Sequence, residues 1–482
     1  MSKNDVVIGL EVHIQLTNLN TKLFCNCSNE YRDKEPNTVV CPVCMGYPGS
    51  LPVVNKKAIE FATRLALGLN CDINDEFFFF RKNYFYPDMA KNFQISQYNK
   101  AGGKAFADGG HVPIKINGTE KEITLNRIHL EEDPARLVHK GSIKSSPYTL
   151  VDYNRSGVAL IEIVSDLVLN SPEEAREYLN QLKSIVQYTG IADLDLGGSC
   201  RVDANISIKG HPRSEVKNIN SFKEVERALK WEIQRQRNAI KRGKELTQET
   251  RHWDDARRIT IPLRSKEFEK DYRYFPEEDL IPIELEPSFI EKVKKELPEM
   301  PQERKERFKQ QFKLPEFSAD IVVKDKAIGD FFEEAANLVE NFGPEEYQQI
   351  CNWLMGDISR WLNDHNIGIT QTKITPEILA ELVNLIEEGT LTGKIAKSFI
   401  DNLMKGKSPQ AIIEETGKKR ISDKERIESI VKEVIAENPK IVKDYRENPK
   451  ALQALIGKCM AKTKGQIDPE ITVKIMREEL KE

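Results

Sequence analysis

The chain has 482 residues, of which 31% are charged and 8% aromatic, and its formal charge is −4. That length predicts two to four domains with a substantial core. The composition is that of a globular chain, and its overall charge does not announce a nucleic-acid binder.

The charge is unevenly spread. Residues 401–482 carry 18 Lys+Arg against 15 Asp+Glu, while the first 400 carry 54 against 61. The C-terminal end is therefore the part more attractive to phosphate. The opening "MSKNDVVIGL" has no signal-peptide layout. No apolar run reaches the length of a membrane span. A cytoplasmic location without membrane attachment is expected. Eight cysteines in a reducing compartment do not make a disulfide framework, so clustered ones need another reason.

In chain order, alternation and composition predict strands at 6–16, 112–117, 121–131, 148–153, 157–165, 200–208 and 281–285. Helices are expected at 55–69, 171–189 and 221–242. Ser171-Pro172 supplies a cap and a proline at the first helical position, and Ser221 with Glu224 has the capping-box pattern. Irregularly placed helices among such strands imply an α+β domain on a mainly antiparallel sheet. From 286 to 316 the chain is rich in Pro, Lys and Glu and reads as a helical connector. Beyond it the pattern is helical, broken at "NFGPEE", "GTLTGK", "MKGKSPQ", "ENPK" and "IDPE". The expected division is 1–292, 293–406 and 407–482: one α+β domain and two all-helical modules.

The first strand, "GLEVHIQL", buries Leu10, Val12, Ile14 and Leu16 and turns Glu11, His13 and Gln15 the other way. "RIHLEED" alternates Ile128 and Leu130 with His129 and Glu131, with Glu132 and Asp133 at its end. "SCRVDANISI" sets Arg201, Asp203 and Asn205 on one face, and Glu162 is the lone charge in "GVALIEIV". Same-face neighbours on a strand lie ~6.6–7 Å apart, so Glu11 and His13 can share one hydrated ion or serve two adjacent ones. The bland alternative is an ordinary wet sheet face. This face, however, uses Asp, Asn, His and Glu, an oxygen-rich set with imidazole that suits Mg²⁺ or Mn²⁺. No Walker A sequence is present; "GTLTGKI" at 389–395 is a near miss and reads as a helix–helix junction.

Cys25 and Cys27 form C-x-C, and Cys41 and Cys44 form C-x-x-C, with thirteen residues between the pairs. Two such clips predict a closed tetrahedral zinc site, structural rather than catalytic, tying together the loop 24–45. Cys71, Cys200, Cys351 and Cys459 are isolated and are expected in the core. "RKNYFYPDMAKNFQISQ", residues 81–97, joins Arg81 and Lys82 to Tyr84, Phe85 and Tyr86. It reads equally as a nucleotide grip or as an aromatic core turn closed by Pro87.

Several long blocks then occur in one order: "GLEVHIQL", "YPGSLPVVNKKAIEFATRLALGLNC", "RKNYFYPDMAKNFQISQ", "HLEED", "DYNRSGVALIEIVSD", "SCRVDANISI", "EVKNINSFKEVERAL" and "DYRYFPEEDL". With "GTLTGKIAK" and "GKCMAKTKGQIDPEITVKIMREEL" they resemble, nearly end to end, the B-subunit family of the aspartyl/glutamyl-tRNA(Asn/Gln) amidotransferases. The resemblance implies a cradle-like catalytic domain at 1–292, a helical linker domain at 293–406 and a tRNA-contacting tail at 407–482. It implies a ligase that uses ATP to phosphorylate the side-chain carboxylate of Glu-tRNA(Gln), Asp-tRNA(Asn) or both. Ammonia from glutamine hydrolysed in an amidase-type A subunit then forms the amide, and a small C subunit completes a heterotrimer.

On that basis Glu11, His13, Glu131 and Asp203 are the expected magnesium ligands and catalytic residues. Glu132, Glu162 and Asn205 are further ligands or supports of ligands. Arg201, Lys82 and Lys217 are the expected contacts to phosphate or acyl phosphate. Three departures stand out: Ala159 replaces the family's usual Pro, Pro134-Ala135-Arg136 replaces a small Ala-Gly run, and only some members have the four cysteines. Three rival readings are a non-catalytic tRNA-binding scaffold, the paralogous E-type family and a stand-alone ligase for small acids. An E-type chain would carry a large inserted domain, which residues 286–330 leave no room for. A stand-alone ligase would have no use for the basic helical tail.

Overall fold

The computed structural model describes residues 5–139, 146–264, 272–338, 343–421, 423–448, 451–463 and 465–480. Parts of the breaks expected at "NFGPEE" and "ENPK" lie outside the described residues. The chain forms two compact units, Met1–Pro301 and Gln302–Glu482.

The first unit is α+β. Its main sheet contains β1 (Val6–Gln15), β2 (Asp72–Ile73), β3 (Ala107–Asp108), β4 (His111–Ile116), β5 (Thr119–Glu132), β6 (Ala159–Ser165), β7 (Cys200–Ile208), β8 (Ser214–Ile219), β9 (Glu249–Asp254) and β10 (Ile259–Arg264). The spatial order is β10-β9-β8-β7-β1-β6-β5-β3-β2, with β4 paired to β5. All pairs are antiparallel except β8 with β9.

The alternation read from the sequence sets the two faces. Leu10, Val12, Ile14, Ile128, Leu130, Ile161, Ile163, Val202, Ala204 and Ile206 enter one continuous core. Helices α1 (Lys56–Gly68), α2 (Pro172–Thr189) and α3 (Phe222–Lys241) complete it with Leu65, Tyr178, Leu182, Val225 and Leu229. Ser171 caps α2 by accepting from Glu174 N at 3.1 Å, and Gly190 ends it at φ 69°, a conformation suited to glycine. Ser221 likewise accepts from Glu224 N at 3.2 Å. The Glu224 carboxylate does not close the expected box; it binds Arg227 and Trp253 Nε1 instead.

Strands 6–16, 112–117, 121–131, 148–153, 157–165 and 200–208 are present within two residues at each end. The one expected at 281–285 shrinks to Ile283–Glu284. Short strands at Phe80–Asn83 and Phe93–Ser96 form a hairpin that Phe275–Pro276 joins, a small sheet the alternation did not announce. Helix Pro287–Glu296 lies in the first unit and buries Val293.

Among its described residues the second unit is built of helices, with one isolated parallel bridge between Ile421 and Ile467, and it has two cores. One gathers Phe308, Phe332, Leu354, Leu382 and Phe399, and it extends to Ile412 and Ile413. The other gathers Ile427, Val431, Leu455, Ile467 and Met476. "GTLTGKI" lies between helices Pro376–Glu387 and Gly393–Lys397, as a junction. Cys71, Cys351 and Cys459 are buried, whereas Cys200 is half-buried at the edge of its core. Among the described residues no helix is long and apolar enough to cross a membrane.

Candidate active site and metal centres

Strand register assembles the polar face of the sheet. Opposite His13 stand Glu162 on β6 and Arg201 on β7, and opposite Glu162 stands His129 on β5. Opposite Glu11 stands Asp203, and opposite Gly9 stands Asn205. Directly opposed residues in an antiparallel pair have Cβ atoms about 4.5–5.5 Å apart, so the side chains of His13, Glu162, His129, Glu11 and Asp203 come within reach of one another. His13 Nε2 lies 3.3 Å from Glu11 Oε1, 3.6 Å from Glu162 Oε2 and 3.9 Å from Glu131 Oε1. Ligand atoms of Glu11, His13 and Glu162 fall within 4.8 Å of one another.

The neighbours of this group are also fixed. Glu162 is held by Arg127 at 3.2 Å and His129 at 3.4 Å. Glu131 accepts from Ser96 Oγ at 2.8 Å. Asp203 accepts from Asn218 N at 2.9 Å and lies 3.6 Å from Lys217 Nζ. Burial works against charge on Glu162, yet His129 and His13 outweigh it and hold the carboxyl well below its usual range. Burial and the adjacent Glu162 charge instead push Glu131 up. Burial and Arg201 pull His13 down, but Glu11 and Glu162 prevail and raise it to about 10. The carboxylates thus demand a cation where the imidazole sits.

Several buried polar atoms on this face have no hydrogen-bond partner among the described residues: His13 Nδ1, His129 Nε2, Arg201 Nε and Asn205 Oδ1. Unpaired buried polar groups are costly and ask for an explanation. A bound ion and an anionic substrate would supply one. Carboxylate oxygens with one imidazole suit magnesium, so the residues fit that ion.

The four cysteine sulfurs also lie within 4.8 Å of one another. Cys41 N donates to Cys44 Sγ at 3.2 Å, and Lys22, fully buried, places Nζ 3.7 Å from the same sulfur. The hydrogen bond from Cys25 lowers the Cys44 thiol to about 4 against burial, and Lys22 and Cys41 add to that effect. A thiolate-bearing tetrad of this kind fits zinc with no open position.

The comparisons with known proteins agree with this architecture. The family model for the GatB/GatE catalytic domain matches residues 6–291, and that for the GatB domain matches residues 330–480. The B subunit of the aspartyl/glutamyl-tRNA(Asn/Gln) amidotransferase of Saccharolobus solfataricus is 46% identical over 477 residues, which are 98% of this chain and 99% of that one. The corresponding B subunits of Carboxydothermus hydrogenoformans (44% over 489 residues, 100% and 99% covered) and Thermotoga maritima (44% over 481 residues, 98% and 98% covered) are similar to it as well. The chain belongs to the amidotransferase B-subunit family.

In this amidotransferase chain, the structure brings together Glu11, His13, Glu131, Glu162 and Asp203 from four strands. Glu132 is not among them. Consecutive strand residues face opposite sides, and the Glu132 carboxylate binds Lys91 at 2.5 Å and Ile95 N at 2.8 Å. Asn205 lies one row beyond Asp203 on β7. Lys217 sits beside Asp203, and Arg201 is flanked by Asp203, Asp133, Glu131 and Glu11.

Lys82 reaches the cluster from the hairpin, its ammonium 5.0 Å from the Tyr272 ring centroid. Burial lowers its pKa, but Tyr274, Glu131, Tyr84 and Glu162 outweigh that and hold it charged. Phe85 and Tyr86 in the same turn are 73% and 53% exposed, so the turn is not a closed aromatic core.

Sequence reasoning assigns no role to Arg127, His129, Ser96 or Gln15. The signal for Arg127 and His129 is present, since both alternate with Glu131 on β5. Gln15 is visible on β1, but its partners are not. It donates to Asp133 Oδ2 at 2.6 Å and accepts from Tyr31 at 3.2 Å and Arg32 at 2.5 Å, joining the cysteine loop to the sheet face.

Proposed function

We propose that this chain is the ATP-dependent kinase and transamidase of its amidotransferase. A side-chain carboxylate oxygen of Glu-tRNA(Gln) or Asp-tRNA(Asn) attacks the γ-phosphorus of ATP. The bond to the β-phosphate oxygen breaks and ADP leaves, giving an acyl phosphate. Ammonia then attacks the acyl carbon, inorganic phosphate departs and a proton is lost, leaving the amide. A carboxylate by itself has no usable leaving group; the phosphoryl group provides one.

The observation that carries this reading is the convergence of Glu11, His13 and Glu162 within 4.8 Å, flanked by Glu131 and Asp203. These residues would hold magnesium, which when bound neutralises phosphate charge during transfer. Lys82 on one side and Arg201 with Lys217 on the other offer fixed positive charge to the phosphoryl group. Burial of His13 and Glu131 favours exclusion of water, which would otherwise hydrolyse the acyl phosphate. Zinc at Cys25, Cys27, Cys41 and Cys44 is assigned a structural role. Ammonia is taken to come from an A-type amidase subunit, with a C subunit completing the heterotrimer and residues 407–482 contacting tRNA in the cytoplasm.

The test is release of labelled phosphate from γ-labelled ATP by the assembled complex with Glu-tRNA(Gln) or Asp-tRNA(Asn). Wild type should cleave ATP only when misacylated tRNA is present, and His13→Ala and Glu11→Gln should abolish it while tRNA binding persists. Absence of tRNA-dependent cleavage in wild type would instead identify a non-catalytic scaffold.

A further inference from the structure

A second concave site lies in the helical unit, on the seam between its two cores. The seam is built by a short extended segment. Ile421 N donates to Gln466 O at 2.7 Å and Asp468 N to Ile421 O at 3.0 Å, while Arg420 N reaches back to Thr390 O at 2.8 Å. Arg420 also pairs with Asp468 at 2.7 Å. Gly465, at φ +82°, lets the backbone press against Lys394; a Cβ there would come within 2.9 Å of Lys394 Cδ.

Above this seam is a cavity of about 660 Å³. Its size falls within the range usual for small-ligand sites, about 300–1,000 Å³. Lys394, Lys418, Arg426 and Lys462 line it from three separate segments, with the hydroxyls of Ser398 and Thr416. No acidic residue is among its lining residues. Lys462 is balanced by Glu433 and Glu437 at 2.7 Å each. Among the described residues the side chains of Lys394, Lys418 and Arg426 have no ion-pair partner. Three unbalanced cations around one concavity repel each other and focus a positive field into it. An anion entering there relieves that repulsion; the Ser398 and Thr416 hydroxyls already donate to Ile395 O and Ile412 O, so the cations carry the recognition.

We propose that this cavity binds a backbone phosphate of the tRNA and that the bound phosphate clamps the two helical cores together. The proposal rests on the reading that the tail contacts tRNA, and it goes further in naming the place and the residues. Its ligand touches both cores at once: Lys394 and Ser398 belong to the segment packed with the first, Arg426 and Lys462 to the helices of the second.

Binding of unacylated tRNA transcript to the full-length chain in its complex, measured from low to moderate KCl, tests it. The triple variant Lys394→Ala, Lys418→Ala, Arg426→Ala should bind at least tenfold more weakly at low salt. The slope of log affinity against log salt should fall by about one for each phosphate that is no longer neutralised. All three side chains are exposed, so the melting temperature should not move. A second full-length variant neutralises exposed tail lysines outside the cavity, Lys424, Lys458 and Lys474. Wild-type affinity and slope in the cavity variant overturn the proposal. If the second variant is then weakened, the tail reading survives; if neither is weakened, both fall. Displacement of bound inorganic phosphate by the cavity substitutions without loss of tRNA affinity would identify a small-anion site and likewise overturn it.

Discussion

At the scale of single residues, the site is a balance of close charges. His13 is the pivot, because its imidazole meets Glu11 and Glu162 together. In the metal-free protein its pKa is raised from the ordinary 6.5 to about 10: burial and Arg201 lower it, and the two glutamates more than compensate. The sign follows directly. The charged imidazole stabilises the metal-free fold fully below pH 6.5, and that contribution is lost as pH rises through about 10. A metal needs the neutral ring, so binding must expel the proton throughout that window. Magnesium affinity should therefore climb with pH, approaching about tenfold per unit below the raised value for one displaced proton. Calorimetry at pH 7 in buffers of different ionisation enthalpy should show close to one proton released per magnesium. Release of none would place His13 outside the metal site.

At the scale of elements, the cysteine loop and the sheet are one construction. The thiolates of a tetrad repel one another unless a cation sits among them, and Lys22 supplies only one charge from the side. Purified protein should carry one zinc per chain by elemental analysis. Chelation, or Cys44→Ser, should lower the first melting temperature and open residues 24–45 to protease. Because Tyr31 and Arg32 bind Gln15, the same treatment should also weaken magnesium binding, by less than about tenfold. A chain that melts and binds magnesium identically without zinc would show the tetrad to be four reduced thiols.

The elements that carry this site were the legible ones. β1, β5 and β7 alternate cleanly because one face is core and the other is not, so Glu11, His13, Glu131, Arg201 and Asp203 could be put on polar faces from sequence; β6 is apolar on both faces, and Glu162 stands out there only as the lone charge. Glu132 could not be placed, because at the end of β5 the face depends on register and on Lys91, which no periodicity reveals. The surroundings of Lys82 were hidden for another reason. Tyr272 and Tyr274 arrive from far along the chain through a two-residue strand, Phe275–Pro276, too short to show a pattern. The cationic cavity was likewise invisible, since its cations come from separate stretches of the chain, helices and the loop residue Lys418 among them, whose packing the sequence does not state.

At the scale of the whole molecule, charge and packing divide along the chain. The first unit owns the acidic sheet face and its own core, and the second owns two helical cores and the basic cavity. Units with separate cores unfold separately unless strongly coupled. Calorimetry should resolve more than one transition. Magnesium with a non-hydrolysable ATP analogue should raise the one that belongs to Met1–Pro301, by about 2.7 kcal/mol at a ligand concentration of 100 Kd. A uniform shift of every transition would mean that ligand binding or unfolding is shared by both units.

The position of β1 has a consequence for how the site comes into being. It runs through the sheet between β6 and β7, with Leu10, Val12 and Ile14 sealed in the core beneath Glu11 and His13. Backbone amides so placed are released to solvent only when the whole unit opens. The amides of Glu11 and His13 should thus be among the slowest in the chain to exchange with deuterium, whether or not ATP, tRNA or partner subunits are bound. The ligand platform would then be finished when folding ends, and what binding still has to arrange is the substrate.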